Sequence, residues 1–156
     1  MDSRLSSPSL KQALVGGLVS TGADVVDIGV VTTPIYYFAR EKYNINPGIM
    51  ITASHNPPQY NGFKMSTYGN ERMFGDEIQE FRKLVESEEF ISGNGTVRNE
   101  EPIESYINDI VSRCKLGNRH IKVVIDCGNG TAGLVAKQIF EGIGCRDQND
   151  FGLTGC

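Results

Sequence analysis

The sequence predicts an α/β protein, a mixed, largely parallel sheet layered with helices, followed by the start of a second α/β domain. Three observations carry that prediction. Helical and strand periodicities alternate from Pro8 to Thr52, the apolar run Gly48-Ile49-Met50-Ile51-Thr52 reads as a strand buried on both faces, and a second strand–helix unit begins near Ile121.

Pro8 to Gly22 reads as a helix: Ser6 or Ser7 can cap it, Pro8 suits its first turn, Leu10, Leu14 and Leu18 recur at helical spacing, and Gly22 stops it. Asp24 to Val30 follows as a strand. Thr33-Pro34 opens a helix to Tyr43 with Thr33 as cap, and Gly48 to Thr52 is the buried strand. This order implies parallel pairing through right-handed crossovers. Gly75-Asp76 starts a helix ending near Glu88. The polar, glycine-bearing stretch from there to Glu101 reads as a linker, giving a domain at 1–90, a linker at 91–101 and a partial domain at 102–156. Pro102 to Arg113 is amphipathic, with Ile103, Tyr106, Ile107, Ile110 and Val111 on one face. Ile121 to Cys127 is a strand and Thr131 to Glu141 a helix. Cys145 to Cys156 carries no β-branched run and reads as a disordered or altered tail.

Composition narrows the function classes. Charged residues make up 22% and apolar ones 39%, an ordinary soluble balance, and the net charge of -4 gives no basic footprint for nucleic acid. No run approaches a membrane span and no apolar leader follows Met1, so the default expectation is the cytoplasm. Cys114, Cys127, Cys145 and Cys156 are widely spaced and only His55 and His120 accompany them, so zinc spacing is absent. Free thiols are expected, with Cys127 a small buried hydrophobe in its strand.

The informative stretch is Thr52-Ala53-Ser54-His55-Asn56-Pro57-Pro58, with Asn61-Gly62-Phe63-Lys64 behind it. Polarity flips at the carboxyl end of the buried strand, the edge where open α/β sheets place their chemistry. A polar turn is the plain alternative for Ser54-His55. The whole run, however, resembles the active-site serine loop of the α-D-phosphohexomutases, the phosphomannomutase/phosphoglucomutase enzymes. Asp2-Ser3-Arg4-Leu5-Ser6-Ser7-Pro8 resembles the segment that follows the first strands of their N-terminal domain. The resemblance spans Asp2 to about Gly144, roughly the first third of a family member. It implies that further strands precede Asp2 in the family and that both ends of this chain are cut.

The resemblance implies interconversion of hexose 1-phosphate and 6-phosphate, with Ser54 the phosphoserine and a hexose 1,6-bisphosphate the intermediate. His55 can hydrogen-bond a phosphate or sugar oxygen. Lys64 supplies positive charge and can act as general acid/base, the competing reading being a solvated surface lysine. Asn56 and Asn61 shape the loop, with Gly62 taking a positive φ. Arg4 matches a family position near the cleft, and an ion pair with Asp2 that orients the first helix explains it equally well. Tyr60 is either rim or contact. Mg²⁺ is the implied cofactor, held in the family by the serine phosphate and an aspartate-rich loop that this sequence lacks. Ser54 would thus give one ligand through its phosphate. The isolated chain is therefore expected to be inactive.

Two alternatives stand beside this reading. Phosphoglucosamine mutase is one. The other is a non-catalytic nucleotide- or phosphate-binding module, because Gly128-Asn129-Gly130-Thr131-Ala132-Gly133 fits G-x-G-x-x-G between a strand and a helix, with Asp147 and Asp150 near the acidic position.

Overall fold

In the computed structural model, residues 1–67 and 72–147 are described, with side chains through Cys145; Asp150 and Cys156 lie outside the described residues. The elements in order are α1 (Ser7–Ser20), β1 (Val25–Asp27), α2 (Thr33–Lys42), β2 (Gly48–Ile51), β3 (Phe63–Ser66), α3 (Asp76–Ser87), β4 (Val97–Asn99), α4 (Ile103–Arg113), β5 (Lys122–Val123), a 3₁₀ turn (Thr131–Leu134), α5 (Ala136–Gly142) and β6 (Arg146–Asp147). The α/β class holds, but among the described residues the strands form three two-stranded sheets, and β1 and β2 do not pair with each other as the helix–strand order implies. β1 pairs with β4 and β5 with β6 in parallel, while β2 and β3 are antiparallel.

The core forms around α2, whose Ile35, Tyr36 and Ala39 are buried at the i, i+1, i+4 spacing of one helix face. Val31, Met50 and Val135 complete the buried cluster, and Ile103, Tyr106, Ile107 and Ile139 pack against it. The cap of α2 is Thr32, not Thr33, and its backbone carbonyl accepts from the Tyr36 N–H at 3.0 Å. In α1, Ser6 stands at the cap position without a side-chain cap bond, while Ser7 is fully buried and bonds elsewhere. Gly22, at φ 89°, ends α1 as its sequence position requires.

β1 is shorter than the expected Asp24–Val30, and an aspartate carboxylate is engaged at each of its ends. The Asp24 carboxylate accepts from the Thr96 N–H and hydroxyl (2.9 and 2.7 Å), and that of Asp27 accepts from Lys11 Nζ (2.7 Å) and the Gly29 N–H (2.9 Å).

The stretch that reads as a flexible linker contains β4. Val25, Val26 and Asp27 pair with Val97, Arg98 and Asn99, and the approach to that strand is close enough to need glycine. A Cβ on Gly93 would lie 2.7 Å from the Gly22 Cα, and one on Gly95 only 2.0 Å from the Ala23 carbonyl oxygen. These glycines permit backbone contact; they do not supply slack.

Beyond α4 the expected strand Ile121–Cys127 contracts to Lys122–Val123, leaving Val124 73% exposed. Cys127 is half-buried, not buried, because the strand has ended before it. The expected helix from Thr131 opens as a 3₁₀ turn and becomes α-helical only at Ala136. The tail is not wholly irregular: Cys145 is buried and Arg146–Asp147 pair with β5. Cys114, Cys127 and Cys145 are free thiols. Among the described residues no helix is long and apolar enough to cross a membrane.

Candidate functional site

Strand β2 delivers the chain to Thr52, which closes the base of a loop running to Gly62. The Thr52 N–H donates to the Gly62 carbonyl at 2.8 Å, and the Thr52 hydroxyl accepts from the Ser54 N–H at 3.0 Å. Two tight turns shape the interior: the Asn56 N–H donates to Ala53 O and the Tyr60 N–H to Pro57 O, each at 3.0 Å. Ser54 sits at the first of them with φ 57°, a left-handed conformation that costs a residue bearing Cβ about 1–2 kcal/mol. Gly62 has no positive φ, contrary to expectation. The strained position is the serine itself, and Gly62 is small because a Cβ there would crowd Thr52 O at 3.3 Å.

Arg4 organises the loop. Its Nε donates to Asp2 Oδ2 (3.1 Å), Nη1 to the carbonyls of Pro57 (2.9 Å) and Tyr60 (3.0 Å), and Nη2 to those of Ser54 (3.0 Å) and Asn56 (2.8 Å). Every N–H of the guanidinium is used. The ion pair with Asp2 and the position beside the loop, which the sequence leaves as alternatives for Arg4, are therefore one arrangement. Asp2 is fixed in turn: its Oδ1 accepts from Ser7 Oγ (2.7 Å) and the Arg4 N–H (3.2 Å), and its own N–H donates to Ile51 O (3.0 Å). Burial alone would raise the Asp2 pKa. Hydrogen bonds from Ser7, Thr52 and the Arg4 backbone, with the guanidinium charge, outweigh it and hold the carboxyl below its ordinary value.

Asn61 ties the far end of the loop to α1. Its Nδ2 donates to the hydroxyls of Ser6 (2.9 Å) and Ser7 (3.0 Å), and its Oδ1 accepts from the Gly62 N–H (2.9 Å). The Ser54 and His55 side chains are exposed, and Ser54 Oγ lies 3.5 Å from His55 Nδ1. Tyr60 is 56% exposed at the rim.

Ser54, His55, Asn56 and Arg4 are thus joined by direct contacts or shared backbone turns, and Asn61 connects to them through Ser7 and Asp2. Lys64 shares none of them. It lies on β3, half-buried, opposite Met50 in the register and two rungs back from the loop's base. The strand that carries it, β3, has no separate signature in the sequence reading. Sequence reasoning also misses Ser7 and Thr52, because a buried serine and a strand-end threonine resemble any others until their partners are known.

The glycine turn at 128–133 reaches the same side of the molecule. The Ser3 N–H donates to Thr131 Oγ1 at 3.1 Å and the two hydroxyls lie 3.1 Å apart. Gly128 and Asn129 take positive φ, and Asp126 Oδ1 is engaged by the Gly128 N–H at 2.8 Å. A dinucleotide fingerprint needs an α-helix to open directly from the turn. Here a 3₁₀ turn intervenes and α5 starts six residues after Gly130, at Ala136. No group of three or more His, Cys, Asp or Glu side chains that could hold a metal occurs among the described residues.

Comparison with known proteins agrees with the geometry. The family described as "Phosphoglucomutase/phosphomannomutase, alpha/beta/alpha domain I" matches residues 1–92. A phosphomannomutase/phosphoglucomutase of Pseudomonas aeruginosa is 41% identical over 144 residues, covering 92% of this chain and 31% of that protein. A protein of Pyrococcus horikoshii named "Probable phosphoglucosamine mutase" is 40% identical over 149 residues, covering 93% and 33%. The crystal structure of a phosphoglucomutase/phosphomannomutase family protein from Burkholderia thailandensis superposes with a TM-score of 0.83 at 39% identity, over 94% of this chain and 33% of that one. The chain therefore spans about a third of the length of the relatives it matches. With a family match over more than half its residues and a shared fold, the chain belongs to the phosphoglucomutase/phosphomannomutase family.

Proposed function

We propose that this chain carries the phosphoserine loop of a phosphohexomutase that interconverts hexose 1-phosphate and 6-phosphate in cytoplasmic carbohydrate metabolism. The observation that supports it most is the exposed Ser54 hydroxyl, held in a left-handed turn at the carboxyl end of β2 on a loop fixed by Arg4. A serine hydroxyl is a weak nucleophile at neutral pH, and carrying the phosphoryl group already bonded avoids activating it anew in each cycle. In the reading we favour, the sugar hydroxyl attacks the phosphorus of phosphoserine 54. The Ser54 Oγ–P bond breaks, and the hydroxyl proton passes to a general base. The bisphosphate then reorients, and its other phosphoryl group returns to Ser54.

Lys64 is the base we assign and His55 a hydrogen-bond donor to phosphate or sugar oxygen. Phosphoryl transfer asks mainly for alignment and charge neutralisation. The loop's fixed backbone supplies the first. Mg²⁺, when bound, would supply the second through one Ser54 phosphate oxygen. The described residues do not complete an octahedral oxygen site, so the remaining ligands belong outside them. Asp2 and Asp126 are engaged by Arg4 and by the turn at Gly128. For that reason we also propose that the isolated chain has no mutase activity.

Phosphoglucosamine as the sugar remains a second reading, favoured by relatives bearing that name at similar identity. Incubation with glucose 1,6-bisphosphate or glucosamine 1,6-bisphosphate is the test, using a protein that joins this segment to the remaining two thirds of the family chain. Intact-mass and fragment analysis should find one phosphoryl group on Ser54. A phosphoryl group on another residue, or one retained by Ser54→Ala, would overturn the assignment, and the bisphosphate that loads faster identifies the sugar.

A further inference from the structure

The turn that leads to Thr131 is as closely specified as the serine loop, yet the proposed reaction gives it no part. Gly128 and Asn129 take φ of 54° and 55°, Asp126 Oδ1 accepts from the Gly128 N–H at 2.8 Å, and the Gly130 N–H donates to Cys127 O at 2.7 Å. A Cβ on Gly130 would lie 2.9 Å from that same carbonyl oxygen, so the turn closes only around glycine. It delivers Thr131, half-buried, with its hydroxyl turned to Ser3.

Two features make that hydroxyl a fixed point. The Gly133 N–H donates to Gly130 O at 3.0 Å and the Val135 N–H to Ala132 O at 3.1 Å, which ties Thr131 into the 3₁₀ turn. Val135, four residues on, is 6% exposed and belongs to the same buried cluster as Met50 of β2. The strand that delivers the serine loop and the turn that delivers Thr131 therefore stand on one apolar base. Close-packed cores transmit position with little slack.

The segment 2–4 lies between them. The Asp2 N–H goes to Ile51 O at the end of β2 and the Arg4 N–H to Asp2 Oδ1, whereas the Ser3 N–H goes to Thr131 Oγ1, 128 residues away. Holding the middle amide of so short a segment fixes the directions in which the side chains on either side leave it. Those side chains are the Asp2 carboxylate and the Arg4 guanidinium, which grips the carbonyls of Ser54, Asn56, Pro57 and Tyr60.

We propose that Thr131 is a positioning residue for the Ser54 loop, acting from the second α/β unit through Ser3 and Arg4. A threonine hydroxyl suits the task, because it can accept from the Ser3 N–H at 3.1 Å while sharing a proton with Ser3 Oγ, also at 3.1 Å. Valine has nearly the same shape and no acceptor. The glycines of the turn thus serve to aim one hydroxyl, not to cradle a nucleotide. The consequence for catalysis rests on the phosphoserine reading of Ser54; the positioning itself does not.

Amide exchange in the 156-residue chain is the test, on Thr131→Val, Thr131→Ser, Arg4→Ala and the Arg4→Ala/Thr131→Val double variant. In Thr131→Val the Asn56 and Tyr60 amides should exchange about three- to tenfold faster, the scale of one lost hydrogen bond, while Tyr36 in α2 and Ile139 in α5 keep their rates. Thr131→Ser should return the loop amides to within about twofold of the parent. In the Arg4→Ala background Thr131→Val should add less than about twofold, because the path runs through the guanidinium. Four results would each overturn the proposal: loop amides unchanged in Thr131→Val, equal acceleration in the loop, α2 and α5, no rescue by serine, or an undiminished effect without Arg4. In a full-length protein carrying this segment, Thr131→Val should slow loading of Ser54 from glucose 1,6-bisphosphate by a similar factor. A parent that fails to load counts against the phosphoserine reading alone, and the exchange rates still decide the positioning.

Discussion

Replacing Arg4 by alanine tests whether one side chain holds the serine loop. The change removes five hydrogen bonds, four of them to carbonyls of Ser54, Asn56, Pro57 and Tyr60. A typical intramolecular hydrogen bond nets about 0.5–1.5 kcal/mol, so the sum over five runs from roughly 2.5 to 7.5 kcal/mol. These residues are exposed, and water will satisfy the released carbonyls, which favours the low end. About 2–3 kcal/mol of loop stability should be lost, raising the open population roughly 30- to 150-fold at 1.4 kcal/mol per decade. The reporters are the Asn56 and Tyr60 amides, which donate to Ala53 and Pro57 inside the loop and should exchange faster by that factor. Helix α2, remote from Arg4, should exchange at its original rate. Arg4→Lys keeps the charge near Asp2 but cannot reach four carbonyls with three donors, so it should recover less than half of the protection. If Asn56 and Tyr60 exchange within threefold of the parent in Arg4→Ala, the loop is held by Thr52 and Asn61 and the clamp is incidental.

Lys64→Ala, in a full-length protein carrying this segment, should lower turnover by about 10²-fold while leaving the melting temperature nearly unchanged; turnover within a few-fold would return Lys64 to an ordinary strand lysine. Gly95→Ala would drive a methyl to 2.0 Å from the Ala23 carbonyl oxygen, a backbone clash, and should cost more than about 2 kcal/mol in urea unfolding, whereas Gly16→Ala, with open space around it, should be neutral or stabilising. Asp2 and Asp27 are both held below their ordinary pKa, so the stability they contribute is present above the unfolded value near 3.9 and lost as pH falls through the folded one. Melting temperature should therefore stay level from pH 7 to about 5 and fall below pH 4. Asp2→Asn should flatten that fall, and parallel curves for the two proteins would rule Asp2 out as a contributor.

What the sequence makes legible divides along a physical line. Helix α2 announces itself because it buries one apolar face, and α4 because Ile103, Tyr106 and Ile107 pack against that core from one side, so periodicity records burial. Helix α1 is read from its proline start and glycine stop as much as from its leucines, which are only half-buried. The serine loop is legible for a different reason: its residue types are uncommon neighbours, and the run is long enough to match a family. β4 is illegible because all three of its residues are exposed and only backbone bonds to β1 hold it, so no side-chain pattern exists to read. Its one signal is Gly93 and Gly95, and glycine reads equally as slack or as close approach until the facing backbone is seen. Ser54 shows the same limit at the site. Left-handed strain is assigned by habit to a nearby glycine, yet Gly62 is unstrained and the serine carries it. That placement has a consequence for chemistry. A left-handed Ser54, with its N–H on Thr52 and its carbonyl on Arg4, has both backbone groups committed inward, so only the hydroxyl is free to meet a substrate. In the function we propose, strain and clamp together make the loop a presenting device for one oxygen atom, which gives Arg4, fifty residues away in sequence, its part in that reading.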